Sequence, residues 1–462
     1  MKNKSYALWS AYVVVAVLIA AIALCIVFEW PVFWGIAAGC AAAAFFVWKQ
    51  GSSIKELWKM SVSRLSNVKG ICVMLFFIGG TIGFWMASGV IGTFVYGGLK
   101  YLSGLNMVLV AFLLCSALSC ILGTAMGTLS TMGVVFIGIA QALGIHMPLM
   151  AGAVISGCYL ADRTAPLSAV LNLVSSMTGT DMPGNIKYMG RYTLMGLGIC
   201  SLFYYWAGRS YAGADLSGVT PLLSLLKSSY TIHWLMLLPL VLMVLLVLAF
   251  RRSIVTSLLI SLGVSVALAF AMTDLSFAEM ARNFVMGFHP ADAQLARVIS
   301  GSGVLSMVNV ILSVIFSAVL NGLMEGGGMI NLLLDRLNKP TQNEGRLMAN
   351  AGLTSILLTL VTCNQPICAM ATGMYFSPKF DEMKITRRAL AHIISDNGII
   401  VSPLIPWNVN AMMAVSITGV AALRFAPYCM LCYVLPIFTW INMMRASRIS
   451  KKERPAPEKA GV

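Results

Sequence analysis

Apolar runs long enough to cross a lipid bilayer recur along this chain, and they constrain its fold more than any other feature. Examples are residues 7–28, 71–91, 105–122, 234–250 and 425–444. A spanning helix needs about 17–25 apolar residues. Lipid offers no hydrogen bonds, so each run must satisfy its own backbone groups, as a helix does. The sequence therefore predicts an all-α polytopic membrane protein with about 10–12 transmembrane elements.

Composition and charge agree with that fold class. Of the 462 residues, 59% are hydrophobic and only 10% are charged, against about 25% charged in soluble domains. The formal net charge of +15 does not indicate a nucleic-acid partner, because the basic residues cluster at the N-terminus, in residues 49–69 and in the tail. Cytoplasmic loops carry excess Lys and Arg, so we expect a cell-membrane protein with both termini in the cytoplasm.

Nothing in the sequence indicates an enzyme or a primary pump. It contains neither a GxxxxGK[ST] phosphate loop nor an HExxH zinc motif. Its 11 cysteines lie almost all in apolar runs, which favours packed free thiols over a zinc site or a disulfide framework. We expect no cofactor other than a coupling ion, Na⁺ or H⁺ or both. The expected partners are the lipid bilayer and a small ion or organic solute.

We divide the chain into four segments. They are an N-terminal helical hairpin with an interfacial helix (1–69), a first transport repeat (70–250), a second, inverted repeat (251–444) and a basic cytoplasmic tail (445–462). The hairpin is predicted to turn at residues 29–31. Residues 52–69 alternate apolar and basic side chains at helical spacing, which is typical of a helix lying in the membrane interface.

Polar breaks interrupt the apolar runs at matching places in the two halves. They lie at residues 123–131 and 162–168 in the first half, and at 362–366 and 396–408 in the second. In each half an Asp is followed by Pro-Leu and then by an Asn: Asp162 precedes Asn172, and Asp396 precedes Asn408. Interrupted segments at corresponding positions point to the binding site of a secondary transporter.

Asp162 and Asp396 stand in apolar surroundings, where an unpaired charge is costly. Such surroundings favour the protonated carboxyl, whereas a bound cation favours the ionised one. This opposition is the physical basis for exchanging H⁺ against Na⁺ at one carboxylate, and we predict a Na⁺ site at Asp162 or Asp396. The alternative is that each Asp caps a half-helix or pairs with a neighbour. Arg163 adjoins Asp162, whereas no cation adjoins Asp396 in the sequence.

Hydroxyl and amide side chains at the breaks complete the predicted binding site, because hard cations prefer such oxygens. Besides the two aspartates, the site comprises Thr124, Gly127, Thr128, Thr131, Ser168, Asn172, Asn364, Gln365, Ser402, Trp407 and Asn408. For a single Ser or Thr, a hydrogen bond back to the preceding turn is the simpler explanation. A cluster at a glycine-flanked break favours the site instead.

Other polar residues have simpler explanations. Glu325 is a third candidate acid, but it is explained equally well as a group facing water at a helix end. The histidines at 146, 233, 289 and 392 lie near predicted helix ends or loops, and we interpret them as ordinary structural residues.

At these same breaks the sequence resembles the NhaC family of Na⁺/H⁺ antiporters. Residues 401–408 read VSPLIPWN, similar to the family's TSPLIPWN, and residues 159–168 read YLADRTAPLS, similar to its YFGDKxSPLS. Shorter matches are GTAMGT (123–128) to its GTSWGT, NQ (364–365) to its GNQ, WMASG (85–89) to the end of its IGxWxASG, and Asp396 to the Asp of its EDAG. Together they span residues 79–408 in register.

The resemblance implies a fold and a mode of action. Family relatives have inverted repeats, paired re-entrant hairpins and unwound helices, and the better-known ones are dimers that move a transport domain like an elevator. By that likeness Gly123 and Asn364 would lie at hairpin tips, Asp162 and Asp396 would lie in unwound crossing helices, and the chain would form a homodimer.

The sequence departs from the family pattern where the family has SDTTN. Residues 168–172 read SAVLN, so Ala169 stands in place of a carboxylate; Arg163 replaces a Lys and Ser395 a Glu. Family members include exchangers of organic acids and carriers of amino acids, and a less charged site suits an organic solute. We therefore predict a cation-coupled antiporter that exchanges Na⁺ for H⁺, with or without an organic solute.

Three other classes of membrane protein fit the sequence less well than an antiporter. A Na⁺- or H⁺-driven symporter of an amino acid or carboxylate is the alternative. A non-transporting scaffold would not need two matched breaks. A channel would show a ring of like charges or a filter repeat.

Overall fold

The computed structural model describes residues 4–102, 105–211, 216–248, 250, 252–292, 295–296, 299, 301, 303–330, 332, 343–362 and 364–452. Within these ranges the chain is almost wholly helical, with one isolated bridge between Phe288 and Gly301 and no strand. The prediction of an all-α fold is confirmed. Cys363, inside the predicted second-half break, and the end of the basic tail lie outside the described residues.

The helices follow one another with short connections. In the first part of the chain they are α1 (Lys4–Val27), α2 (Phe33–Lys49), α3 (Ile54–Ser63), α4 (Leu65–Ala87), α5 (Val90–Leu102), α6 (Met107–Leu122), α7 (Ala125–Thr128), α8 (Val134–Ala142), α9 (Met147–Thr164), α10 (Ala169–Thr178), α11 (Met182–Gly208) and α12 (Leu216–Ser229). In the second part they are α13 (Leu238–Leu248), α14 (Ile254–Met272), α15 (Phe277–Met286), α16 (Val304–Gly326), α17 (Glu344–Thr362), α18 (Gln365–Glu382), α19 (Arg387–Ile394), α20 (Val409–Thr418), α21 (Ala422–Phe425) and α22 (Leu431–Lys452).

Short turns of other helical types join some of these helices. π-turns occupy Leu129–Gly133 and Ser395–Ile399, and 3₁₀ turns occupy Arg209–Tyr211, Trp234–Leu237, Ser402–Leu404 and Ala426–Tyr428. π-turns inside helices often mark functional sites, and one lies at a predicted break in each half of the chain.

The structure supports repeated crossing of a membrane. Five described segments are long and apolar enough to span by themselves: Trp9–Val27, Val68–Ala87, Ala125–Ala142, Val255–Met272 and Val304–Gly326. Three bent pairs would each make one more, with bends of 89° between α12 and the segment starting at Trp234, 42° between α19 and α20, and 57° between α21 and α22. The multi-pass prediction is confirmed, while the count of 10–12 elements stays a prediction.

The N-terminal segment forms a tight hairpin. α1 and α2 flank the predicted turn, where Glu29 adopts a left-handed φ of 55°. The helices approach closely at Gly35, which has no side chain; an added Cβ would lie 2.8 Å from the Ile22 side chain. α3 begins with a capping box and leaves Ile54 and Trp58 79% and 72% exposed. An amphipathic helix with exposed apolar side chains fits the predicted interfacial location.

The order of elements recurs along the chain. α6, a break and α7–α8 precede α9, which breaks before α10; likewise α17, a break and α18 precede α19, which breaks before α20. This order agrees with two repeats, and their inverted orientation stays a prediction. α9 lies at the centre, buried from Leu149 to Thr164, and packs so closely on α6 that a Cβ on Gly157 would lie 2.6 Å from the Phe112 carbonyl oxygen.

Candidate ion-binding site at the helix breaks

Asp162, in the predicted break at 162–168, contacts the predicted breaks at 123–131 and 362–366. It belongs to the last turn of the buried helix α9 and is 6% exposed. Its Oδ1 accepts a hydrogen bond of 3.2 Å from the backbone N–H of Ala125, which opens α7 after the first break. Gln365 is the first residue of α18, and its side chain interacts with the same carboxylate. Within the described ranges, Asp162 forms no ion pair with Lys, Arg or His.

Amide side chains link the two breaks of the second half, at residues 362–366 and 396–408. Gln365 donates through Nε2 to the Ile399 carbonyl at 3.0 Å and to Ser402 Oγ at 2.9 Å. Asn410 Nδ2 donates to the same Ser402 oxygen at 3.0 Å. The start of α18 is thereby tied to the interruption between α19 and α20. Gln365 and Ser402, both predicted site residues, are thus hydrogen-bonded to each other, and Gln365 also interacts with Asp162.

Two of the predicted site residues cap the helices that follow the breaks. Ser168 Oγ accepts from the Leu171 N–H at 3.1 Å and caps α10, whereas Asn408 Oδ1 accepts from the Asn410 N–H at 3.1 Å and caps α20. A side-chain oxygen at the N-cap satisfies a backbone donor that the helix leaves free. Asn408 and Ser168 therefore have the same capping role in the two halves. Asn172 lies one turn into α10 and is exposed.

The threonines of the first break make local hydrogen bonds. Thr124 Oγ1 caps α7 by accepting from the Gly127 N–H at 3.4 Å. Thr128 donates to the Thr124 carbonyl at 2.9 Å, and Thr131 donates to the carbonyls of Gly127 and Thr128 at 3.0 Å. This is the bonding to the preceding turn expected of single hydroxyls. It uses the hydroxyl protons and leaves oxygen lone pairs for a cation.

Asn364 lies in the predicted break at 362–366, and Trp407 lies in the one at 396–408. Asn364 is half-buried at the N-cap of α18, where its side chain makes no capping bond. Trp407 donates through Nε1 to the Leu360 carbonyl at 2.7 Å, so its ring is fixed against α17. This position is compatible with the predicted role of Trp407 as a packing residue beside the site.

Asp396 has quite different surroundings from Asp162. It is fully buried and forms an ion pair with Arg163, whose Nη2 lies 3.3 Å from Oδ2. Thr439 also donates to this carboxylate, and His392 Nε2 lies 2.9 Å from it. Arg163 therefore pairs with the aspartate of the other half rather than with its neighbour Asp162. No cation adjoins Asp396 in the sequence, but in the structure the Arg163 guanidinium lies beside it.

Sequence reasoning missed the partners of Asp396. Arg163, His392 and Thr439 come from three helices, and Arg163 also donates to Thr193 at 2.5 Å. His392 is not an ordinary loop residue, because it is buried inside α19 with the ring of Tyr192 stacked on it at 5.1 Å. The spacing of His392 four residues before Asp396 places both on one helical face and was the available signal.

Glu325, the third candidate acid, lies outside this cluster. It pairs with Arg64 at the end of α16 and is 47% exposed. The alternative interpretation, an acid facing water at a helix end, agrees with the structure.

Comparison with known proteins gives a consistent result. The model of the Na⁺/H⁺ antiporter family matches residues 157–444. The chain is 28% identical to the Na⁺/H⁺ antiporter NhaC of Bacillus subtilis, covering 88% of this chain and 90% of that protein. It is 27% identical to the malate-2H⁺/Na⁺-lactate antiporter of the same organism, covering 83% of each, and 27% identical to the arginine/ornithine antiporter ArcD of Halobacterium salinarum, covering 89% and 86%.

Proposed function

This chain belongs to the Na⁺/H⁺ antiporter family, and from that premise we propose that it exchanges Na⁺ for H⁺ with Asp162 as the carboxylate that holds either ion. One observation carries the assignment. Asp162 is a buried carboxylate that contacts both helix breaks and has no ion-pair partner in the described part of the chain. Asp396, the other candidate, already has Arg163 as its counter-ion.

The surroundings of Asp162 suit alternate binding. A proton and a Na⁺ ion compete for one carboxylate, so binding of either excludes the other. The Ala125 N–H stabilises the negative charge while the site is empty. Neutral oxygens of Thr124, Ser168 and Gln365 lie on the elements around the carboxylate and would complete the coordination of Na⁺.

Proton flux in liposomes tests this assignment. With purified protein in liposomes containing a pH-sensitive dye, an imposed Na⁺ gradient should move protons. Asp162→Asn should reduce that flux to the level of protein-free liposomes, because an amide neither takes up a proton nor balances Na⁺. Asp381→Asn, which removes an exposed acid, is the matched control and should retain the wild-type flux. An undiminished flux in Asp162→Asn would remove this residue from the mechanism.

An organic solute is our second proposal for the exchanged species. Ala169, which replaces the family's acid, is the first residue of α10 and is exposed beside the cap Ser168. This position adds no negative charge near Asp162, and two relatives are named for exchange of organic solutes. Stabilisation by an organic solute, measured by thermal unfolding with and without Na⁺, is expected. If Na⁺ or pH stabilises the protein and no solute does, both this proposal and the symporter alternative fail.

We also propose an arrangement for the whole chain. The repeated order of broken helices supports inverted repeats in residues 70–250 and 251–444. The basic residues at both ends and in residues 49–69 support cytoplasmic termini. The resemblance to dimeric relatives supports a homodimer, which cross-linking in native membranes would test.

A further inference from the structure

A cavity of about 670 Å³ lies apart from Asp162. Its walls come from the α1–α2 turn, from α16, and from the segment that runs from the second break through α20 to α21. Pockets for small organic molecules measure about 300–1,000 Å³. The cavity is thus large enough for a solute of amino-acid size, and far larger than a bare cation needs.

One wall of this cavity is polar although it belongs to a membrane-spanning segment. Ser306, Asn309 and Ser313 recur along α16 at helical spacing and all face the cavity. The two serine hydroxyls donate to the carbonyls of Gly303 and Asn309 at 2.7 Å. The Asn309 side chain is exposed and makes no such local bond in the described structure. Polar side chains on one face of a largely apolar helix indicate a wall that faces water or solute rather than lipid.

The cavity also holds one acid and one base. Glu29 lies in the α1–α2 turn and Arg424 in α21, and both side chains are exposed to the cavity. Among the residues that the structure describes, neither has an ion-pair partner, and they do not pair with each other. Two opposite charges that line one cavity from different walls, and do not pair with each other, are available to a ligand carrying both signs.

Part of the cavity lining belongs to the helix break at residues 396–408. Pro406 and Met412 line the cavity, and between them in the chain lies Asn408, the cap of α20. Asn410, in the first turn of the same helix, donates to Ser402, which also accepts from Gln365. A solute in the cavity would therefore touch the segment that is hydrogen-bonded to the surroundings of Asp162.

We propose that this cavity binds the organic counter-solute, and that the solute is an amino acid. Arg424 would bind its carboxylate, since a guanidinium forms two parallel hydrogen bonds with that group. Glu29 would bind its ammonium group, and the Asn309 amide would hydrogen-bond either end. The inference rests on the proposed antiport function and deepens it by assigning the solute's chemical class and its binding residues.

Binding to the purified full-length protein in detergent tests the proposal without any transport step. The probes are L-ornithine, L-arginine and the other standard L-amino acids, with L-malate and L-lactate as carboxylates that lack an ammonium group. We expect at least one amino acid to raise the unfolding temperature. We expect Arg424→Gln and Glu29→Gln each to weaken its binding about tenfold or more, because each variant removes one charge-assisted contact.

Two charge-matched controls are available at exposed positions away from the cavity. Arg445→Gln and Glu382→Gln make the same chemical changes and should bind like the wild type. Unfolding temperatures without solute show whether the cavity variants are folded. Asn309→Ala provides a further variant with no change of charge, and it too should weaken binding.

Three results would overturn the proposal. They are no stabilisation by any amino acid, unchanged affinity in both charge variants, and binding of malate or lactate that depends on Arg424 but not on Glu29. Failure of the proposed ion exchange would look different. In that case the liposomes would show no Na⁺-driven proton flux, whatever the binding assay in detergent gives.

Discussion

Two aspartates that look alike in the sequence have opposite surroundings in the fold. Asp162 is met by a backbone N–H and a neutral amide, so its charge has no counter-ion in the described structure. Asp396 is met by a guanidinium, an imidazole and a hydroxyl. The first arrangement leaves room for an exchangeable cation. The second resembles a structural ion pair, which joins α9 to the π-turn that follows α19.

The pair between Arg163 and Asp396 should be energetically coupled. Asp396→Asn leaves a buried guanidinium without its counter-ion, which costs about 3–5 kcal/mol in comparable cases. Arg163→Gln should be similarly destabilising. The double variant removes both charges, and it should lose clearly less stability than the sum of the two single variants. Thermal unfolding in detergent measures the loss of stability in each of the three variants.

Glu382→Gln, a charge removal at an exposed position, is the control for this cycle. It should unfold at the wild-type temperature. Additive losses in the double variant would show that the two side chains do not stabilise each other.

The sequence predicts these residues better than it predicts their contacts. Asp162 and Asp396 could be identified because carboxylates are rare and costly in apolar segments. The partner of Asp396 could not, since Arg163 lies 233 residues away in the chain. The match of Asn172 with Asn408 stays a prediction. The helices begin at different distances after each Pro-Leu, so Ser168 caps α10 whereas Asn408 caps α20.

At the scale of elements, the breaks are built from helix ends placed inside the protein. α6 ends at Gly123 with a φ of 71°, and α7 begins two residues later with Thr124 as its cap. Glycines, prolines and capping residues make such interruptions predictable from sequence. The packing of the first break on the α9–α10 break was not predictable, because it depends on contacts between elements distant in the chain.

Gly123 should not tolerate a side chain. A Cβ there would lie 2.6 Å from the Leu167 Cβ, in a left-handed conformation that costs about 1–2 kcal/mol for other residues. Gly123→Ala should therefore lower the unfolding temperature and slow Na⁺-driven proton flux, since the start of α7 would shift away from Asp162.

Gly419 provides a matched control for that substitution. Its φ is 67°, but a Cβ there would meet nothing within 4 Å. Gly419→Ala pays the backbone strain alone, so it should be less destabilised than Gly123→Ala and retain more flux. Equal effects of the two substitutions would show that contact with Leu167 is unimportant.

At the scale of the whole molecule, a surface ion pair links the two halves of the chain. Asp181 caps α11 by accepting from the Gly184 N–H at 2.7 Å, and it pairs with Arg388 of α19 at 2.7 Å. The hydrogen bond from Arg388, followed by that from the Gly184 N–H, holds the pKa of Asp181 below its usual range. Both partners are exposed, so the stabilisation is small.

This lowered pKa predicts a pH dependence. A carboxylate whose pKa is lower in the folded protein stabilises it above the ordinary pKa, and the stabilisation disappears as the pH falls through the folded value. The wild type should therefore unfold at a slightly higher temperature than Asp181→Asn near pH 6. The difference should close below about pH 4. A difference that stays constant down to pH 3 would contradict this assignment.

The buried pair of Arg163 and Asp396 also bears on the electrical character of the exchange. Its two charges cancel, so among the described residues at the helix breaks Asp162 is the carboxylate without a counter-ion. One proton or one Na⁺ neutralises that group equally. Trading a single Na⁺ for a single proton at this carboxylate then transfers no net charge, and an uncharged amino-acid zwitterion would add none. Such an exchange generates no current, and the concentration gradients alone, rather than the membrane potential, determine its direction.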